Sequence, residues 1–138
     1  QIHCRFLPGL GKGGKMSSSM PETCIFTTDD PKSIERKIMN AFTGGGSTIS
    51  EHRERGGRPQ ECPIFLYEYL LFEEDDAKVG ELMDKCRRGE ILCGECKAIV
   101  AEKVKRFIER HQEMRERARG MIEDLFLDRY LERRGIRA

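Results

Sequence analysis

Two groupings of side chains in this sequence are suited to chemistry. The first is Lys15-Met16-Ser17-Ser18-Ser19, reached through the glycine-rich approach Gly9-Leu10-Gly11-Lys12-Gly13-Gly14. Glycine adopts backbone conformations that other residues avoid, so such an arm bends freely. It delivers one ammonium and three hydroxyls together, with backbone N–H groups able to converge on anionic oxygens. That is a donor set for a polyphosphate, Lys15 being the point charge and Ser17, Ser18 and Ser19 the hydroxyl donors. Lys12 is a second candidate cation, set against the plainer reading of a solvated loop lysine. An ordinary Gly/Ser linker has the same composition, and only the order of the five residues argues against it.

The second grouping is sulfur. The chain of 138 residues holds six cysteines, three of them tightly spaced: Cys86, six residues, Cys93, two residues, Cys96. Cys62 stands upstream with 23 residues between it and Cys86, and Pro63 follows it. A helical hairpin of that length brings its two ends together, so four thiolates can meet around one centre. Gly89, Gly94 and Glu95 allow backbone N–H groups to turn toward the sulfur atoms. Four cysteines make a closed tetrahedral zinc site, and the Cys-x2-Cys spacing with a Cys-Pro ligand equally suits a 4Fe–4S cluster. Spacing alone does not separate the two. The competing view is that cysteines are small buried hydrophobes, which is the reading for Cys4 and Cys24.

The elements that position these groups are mostly helical. Asp29-Asp30-Pro31 starts a helix with a capping carboxylate and a proline at the first turn; Ile34, Ile38 and Phe42 repeat along it, and Gly44-Gly45-Gly46 ends it. Before it, Cys24 to Thr28 reads as a brief strand or extended segment. Residues 47–60 are polar and glycine-punctuated, with His52, Arg53, Arg55 and Arg58, and read as a solvated helix or loop with RNA-backbone contact as the sharper alternative. Pro63 to Phe72 is apolar almost all round, a buried helix. Glu73 to Asp76 cap a helix carrying Val79, Leu82, Met83 and Cys86, closed by Gly89. From about Gly94 a long amphipathic helix places Val100, Val104, Phe107, Ile108 and His111 on one face, with a break expected at Gly120 before the pattern 121–126.

Composition permits one domain of ordinary size. Hydrophobic residues make up 38% and charged residues 36%, with a net charge of +1, so any nucleic-acid partner must be met by local patches. Residues 101–138 carry eleven Lys/Arg against eight Asp/Glu, among them Arg110, Arg115, Arg117 and Arg119. No apolar window reaches the ~20 residues of a membrane span and no signal segment is evident, so the cytoplasm is the expected compartment and no membrane partner is expected.

The ordered pentapeptide resembles the KMSKS-type loop of class I aminoacyl-tRNA synthetases, here as KMSSS. Upstream, residues 2–10 resemble the lead-in found in the tryptophanyl and tyrosyl enzymes. Downstream, Ile25 to Asp29, Ala41-Phe42-Thr43-Gly44-Gly45, Glu51-His52-Arg53 with Gly56-Gly57, and Phe72 with the acidic run after it resemble the tryptophanyl enzyme of archaeal and eukaryotic type. The likeness covers roughly residues 2–114. It implies a mainly α segment, with the KMSSS loop at the edge of a Rossmann-like catalytic fold whose N-terminal part is absent. The implied divisions are 1–30 for the end of the catalytic domain, 31–46 for a connecting helix, and 47–138 for a helical anticodon-binding domain.

The implied activity is ATP-dependent activation of tryptophan and transfer to tRNA(Trp), with ATP and magnesium as substrate, and tyrosine as the alternative amino acid. Lys15 would stabilise the departing pyrophosphate, Met16 would pack the loop in place, and Ser17, Ser18 and Ser19 would add donors to ATP. The HIGH-type motif that precedes this loop in class I enzymes is not in these residues, so the segment alone is expected to be inactive. A subset of tryptophanyl enzymes binds a 4Fe–4S cluster through a pattern similar to Cys62, Cys86, Cys93 and Cys96, which favours that cluster over zinc. Arg87, Arg88 and Lys97, beside those cysteines, are the expected tRNA contacts. A homodimer is inherited from the resemblance. The competing class of function is a non-enzymatic, zinc- or iron–sulfur-stabilised helical module that binds RNA or protein, a small electron carrier being the least favoured.

Overall fold

The structure, a computed structural model, describes residues 6–122 and 126–135. Cys4, the lead-in at 2–5 and residues 123–125 of the pattern expected after Gly120 lie outside the described residues. Asp30 starts α1 (Pro31–Asn40): its carboxylate accepts the backbone N–H groups of Lys32 and Ser33 at 2.9 and 3.1 Å. Thr48 does the same for α2 (Ile49–Arg55) by accepting Glu51 N–H, and Glu51 reaches back to Ser47 N–H at 2.8 Å. Next comes α3 (Pro63–Tyr67), which widens into a π turn over Glu68–Phe72. Asp75 caps α4 (Asp76–Arg87), and Gly89, at φ +67°, closes it. The 30-residue α5 (Cys93–Ile122) and the short α6 (Leu127–Arg133) complete the described chain. No helix among the described residues is long and apolar enough to cross a membrane.

The core forms where α1 lies along α5. Ile34 and Ile38 from α1 share one buried cluster with Val100, Val104 and Ile108 from α5, Ile64 and Leu66 from α3, and Leu10 from the first loop. Polar clasps show the direction of packing. Lys97 donates to Met39 O at 2.8 Å, Lys105 pairs with Glu35 at 3.2 Å, and Gln112 donates to Asp29 O at 3.1 Å. Ascending numbers on one side meet descending numbers on the other, so the two helices are antiparallel.

Several expectations from sequence need correction. Residues 24–28 form no strand: Cys24 is extended but a turn follows at Thr27–Thr28. The backbone carbonyls there are taken by side chains, Cys24 O by Lys37 and Thr27 O by Gln112, so no neighbouring strand is needed. Phe107 and His111 are exposed, because α1 covers only the stripe through Val100, Val104 and Ile108. Phe107 instead meets Phe72 edge-on, ring centroids 6.2 Å apart. The helix runs through Gly120 to Ile122. The segment 63–72 is buried through Tyr67 but exposes Tyr69 and Leu71 within the π turn, while Glu68 turns inward to pair with Lys103.

Tyr67 ties α3 to the first loop by donating its hydroxyl to Pro8 O at 3.1 Å. Burial pushes this phenol up to about 12, against about 10 in an unfolded chain. The folded state therefore holds the proton more tightly, and the associated stability is complete below about pH 10 and lost as pH rises toward 12. Tyr67→Phe is expected to cost about 1 kcal/mol at pH 7 and to flatten the loss of stability over that alkaline window, as measured by urea denaturation.

Candidate functional site

The loop expected to meet phosphates is gripped at its base and open at its tip. Pro8 and Lys15 form an isolated antiparallel bridge, and Gly9 N–H donates to Gly14 O at 2.8 Å. Gly9 is required there, since a Cβ would come within 2.9 Å of Lys15 O. Leu10 is buried. Its N–H donates to Thr23 O and its carbonyl accepts Phe42 N–H, both at 2.8 Å. Beyond that base Lys15, Ser18 and Ser19 are exposed, while Met16 and Ser17 are half-buried. The Ser17 and Ser19 hydroxyls lie 2.8 Å apart, and Ser17 O accepts Met20 N–H at 3.0 Å. Among the described residues Lys15 has no carboxylate partner, so its charge is available to an anion. Lys12 sits 5.8 Å from the centre of the Phe42 ring, a cation–π contact rather than a free cation. Both lysines line a cleft of about 700 Å³ floored by Pro8, Phe42, Pro63 and Leu66.

The four expected ligand cysteines are brought together. Cys62 precedes α3, Cys86 ends α4, and Cys93 and Cys96 open α5; all four line one cavity of about 20 Å³ with Gly44, Gly45, Phe65 and Leu82. Burial, reinforced by the neighbouring cysteines, pushes the Cys86 thiol up to about 11 and that of Cys96 to about 12. They are therefore neutral thiols in this state. The thiols share a cavity without closing on a common point, and among the described residues no three cysteine, histidine or carboxylate side chains form a ready-made metal cage.

Glycines make room for this sulfur. A Cβ on Gly45 would overlap Cys93 Sγ and come within 2.9 Å of His52 Nδ1; one on Gly57 would lie 2.8 Å from Cys86 Sγ. Sequence reasoning left His52 on a solvated segment, yet it is 3% exposed. Its Nε2 donates to Ile91 O at 2.9 Å and its Nδ1 accepts Gly46 N–H at 3.4 Å. The ring thus joins the glycine run to the turn before Cys93. The signal that could have found it is its neighbourhood: a histidine between two glycine runs has backbone on both sides to bond.

The expected tRNA contacts are placed less uniformly. Arg87 is exposed beside Cys86, its carbonyl packed against Gly56. Arg88 is engaged with Glu90 at 2.6 Å, and Lys97 with Met39 O. Arg53 turns to the carbonyls of Gly89 and Glu90. Arg55 and Arg58, each loosely paired with a glutamate at 3.5 and 3.6 Å, instead line a polar cleft of about 340 Å³ with both glycine runs.

Residues 1–109 match the family model described as tRNA synthetases class I (W and Y), and the chain belongs to that family. It is 45% identical over 123 residues to the tryptophan–tRNA ligase of Pyrobaculum aerophilum, covering 89% of this chain and 32% of that protein. It is 49% identical over 124 residues to the tryptophan–tRNA ligase of Thermococcus sibiricus, covering 88% and 32%. The tryptophanyl-tRNA synthetase structure from Aeropyrum pernix K1 superposes with a TM-score of 0.79 at 42% identity, over 86% of this chain and 32% of that one. The chain therefore spans about one third of the length of the curated relatives it matches.

The glycines separate into those that make room and those that do not. Gly45→Ala is expected to destabilise the fold by roughly 1–3 kcal/mol through overpacking against sulfur and imidazole. Gly80→Ala, in mid-α4 with nothing within 4 Å of the added carbon, should stabilise by about 0.5–1 kcal/mol. Paired chemical-denaturation curves decide both.

Proposed function

We propose that the protein containing this chain is a tryptophan–tRNA ligase, activating tryptophan with ATP and magnesium and transferring it to tRNA(Trp). The observation that carries this reading is Lys15 at the start of the Lys15–Ser19 loop, exposed and without a carboxylate partner among the described residues, within a chain 45–49% identical to tryptophan–tRNA ligases. In this chemistry the tryptophan carboxylate attacks the α-phosphorus of ATP and pyrophosphate leaves. The protein contributes placement and charge stabilisation. Lys15 meets the charge that builds on the departing pyrophosphate, and Ser17, Ser18 and Ser19 add hydroxyl and backbone donors. Half-buried Met16 seats the loop. Gly13, at φ +68°, and Gly14 have no neighbour within 4 Å of an added carbon, which leaves that arm free to close and reopen. Tyrosine is the weaker choice of substrate: the tyrosyl-tRNA synthetase of Aeropyrum pernix matches at 24% identity and TM-score 0.60, a likeness of fold alone.

In this reading residues 1–30 belong to the edge of a Rossmann-like catalytic domain, 31–46 connect, and 47–138 form the anticodon-binding part of a homodimeric enzyme. Arg87, next to the thiol cavity, has its guanidinium exposed to an RNA strand. Arg55 and Arg58 supply cations one cleft away, and Arg88 and Lys97 must first leave their present partners.

Cys62, Cys86, Cys93 and Cys96 would hold a sulfur-ligated metal, a 4Fe–4S cluster by the likeness of their spacing and zinc as the alternative. The donor set fits: four cysteines, no competing carboxylate, and glycines where a Cβ would collide with sulfur. The present cavity has room for about one water-sized sphere, so either metal requires the thiols to move, outward for a cluster and onto a common point for a single ion. Such a centre would cross-link the starts of α3 and α5 to the end of α4, a structural role.

Two measurements test this. In tryptophan-dependent ATP–pyrophosphate exchange by the full-length protein, Lys15→Ala is expected to lose roughly 100-fold; unaltered exchange in that variant would leave Lys15 idle, and no exchange by the unsubstituted protein would favour the non-enzymatic module. For the metal, iron with broad visible absorption identifies the cluster, one zinc in a colourless protein identifies the ion, and neither metal at stoichiometric level removes the proposal.

A further inference from the structure

Lys37 is a lysine in a place that suits a methionine. It lies in α1 and is 4% exposed, although moving an ammonium out of water costs several kcal/mol unless its donors are satisfied. Its Nζ donates to Cys24 O at 3.1 Å and pairs with Asp29 Oδ2 at 2.6 Å. It also stands 4.9 Å from the centre of the Phe26 ring. Asp29 Oδ2 in turn accepts Phe26 N–H at 3.0 Å. All these partners belong to residues 24–29, the segment that leaves the Lys15–Ser19 loop. None of them is needed to form α1, which has its own cap in Asp30 and its own apolar face in Ile34 and Ile38.

The segment so held leads straight back to the loop. Cys24, whose carbonyl Lys37 grips, points its thiol at Ser17 O, 3.4 Å away. Its neighbour Thr23 accepts Leu10 N–H at 2.8 Å from the other arm of the loop. From α5, Gln112 holds the carbonyls of Thr27 and Asp29 at 3.0 and 3.1 Å.

The geometry points to Lys37 as a positioning residue for the ATP step, acting through Cys24 to set the backbone of Ser17 against the helical domain. This rests on the role proposed above for the Lys15–Ser19 loop. Where catalysis consists of placing a cation and donors around phosphates, small displacements are costly in rate. A ground-state binding site for tryptophan elsewhere in the enzyme is not touched by this link.

The test uses the full-length enzyme and tryptophan-dependent ATP–pyrophosphate exchange, with melting temperature measured alongside. Lys37→Met keeps the volume and removes the charge. With Asp29 left unpaired the melting temperature is expected to fall; at a temperature where the variant is fully folded, kcat is expected to be about tenfold lower with the KM for tryptophan essentially unchanged. Cys24→Ala removes the thiol contact to Ser17 O together with the longer ones to Met20 O and Pro21 O, and should lower kcat about threefold with the KM for tryptophan unchanged. Normal kcat in a folded Lys37→Met enzyme overturns the inference, as does a fall in kcat seen only at temperatures where the variant is partly unfolded. If Lys37→Met does not fold, Cys24→Ala decides by the same criteria. Lys15→Ala separates the two levels: full exchange in that variant defeats the role of the Lys15–Ser19 loop on which this inference rests, whereas impaired exchange there with normal Lys37→Met defeats only the positioning role.

Discussion

The antiparallel seam between α1 and the first half of α5 is the constraint on which the remaining structure depends. A ten-residue helix such as α1 is marginal in water. It persists because Ile34 and Ile38 find Val100, Val104 and Ile108, and each fully buried side chain of this kind contributes about 1.5–3 kcal/mol. The clasps at Lys97, Lys105 and Gln112 add little energy individually, being largely exposed. Their effect is on register: they fix which turn of α1 meets which turn of α5.

Both chemically interesting regions hang from the ends of that seam. The segment entering α1 carries Cys24 and Asp29, and through them the Lys15–Ser19 loop. The segment leaving α1 carries Phe42, which holds Leu10 O, and then Gly44 and Gly45, which wall the thiol cavity. Glycine serves opposite purposes in the two places. At Gly13 and Gly14 an added carbon would meet open space; at Gly45 and Gly57 sulfur lies so near that no side chain fits.

The two regions also treat charge differently. The loop shows a bare ammonium to solvent at no desolvation cost, ready to meet a charged ligand. The cavity takes four titratable groups out of water and keeps Cys86 and Cys96 protonated by burial. A cation entering among such thiols reverses that balance, because a bound metal holds its sulfur ligands as thiolates.

Much of this was legible from residue types and their order. Asp30-Pro31 announced α1, Asp75 announced α4, and the 3.6-residue repeat of Val100, Val104 and Ile108 announced the buried face of α5. Such signals are local, carried by a cap or a period within one element. The spacing of Cys62, Cys86, Cys93 and Cys96 suggested four sulfurs around one centre; in the fold they line one cavity without closing on a common point. What the order of residues left open is everything set by a distant partner. Phe107 and His111 were expected on the buried face of α5 yet stand exposed, because they lie off the stripe through Val100, Val104 and Ile108 that α1 covers. Cys24 to Thr28 has the composition of a strand, but Lys37 and Gln112 occupy its carbonyls. His52 read as part of a solvated segment and is buried, since the carbonyl that satisfies its Nε2 lies 39 residues away, and the burial of Lys37 had no local signal at all. Burial of a polar side chain depends on partners that only the folded chain assembles, and no local pattern in these residues specifies them.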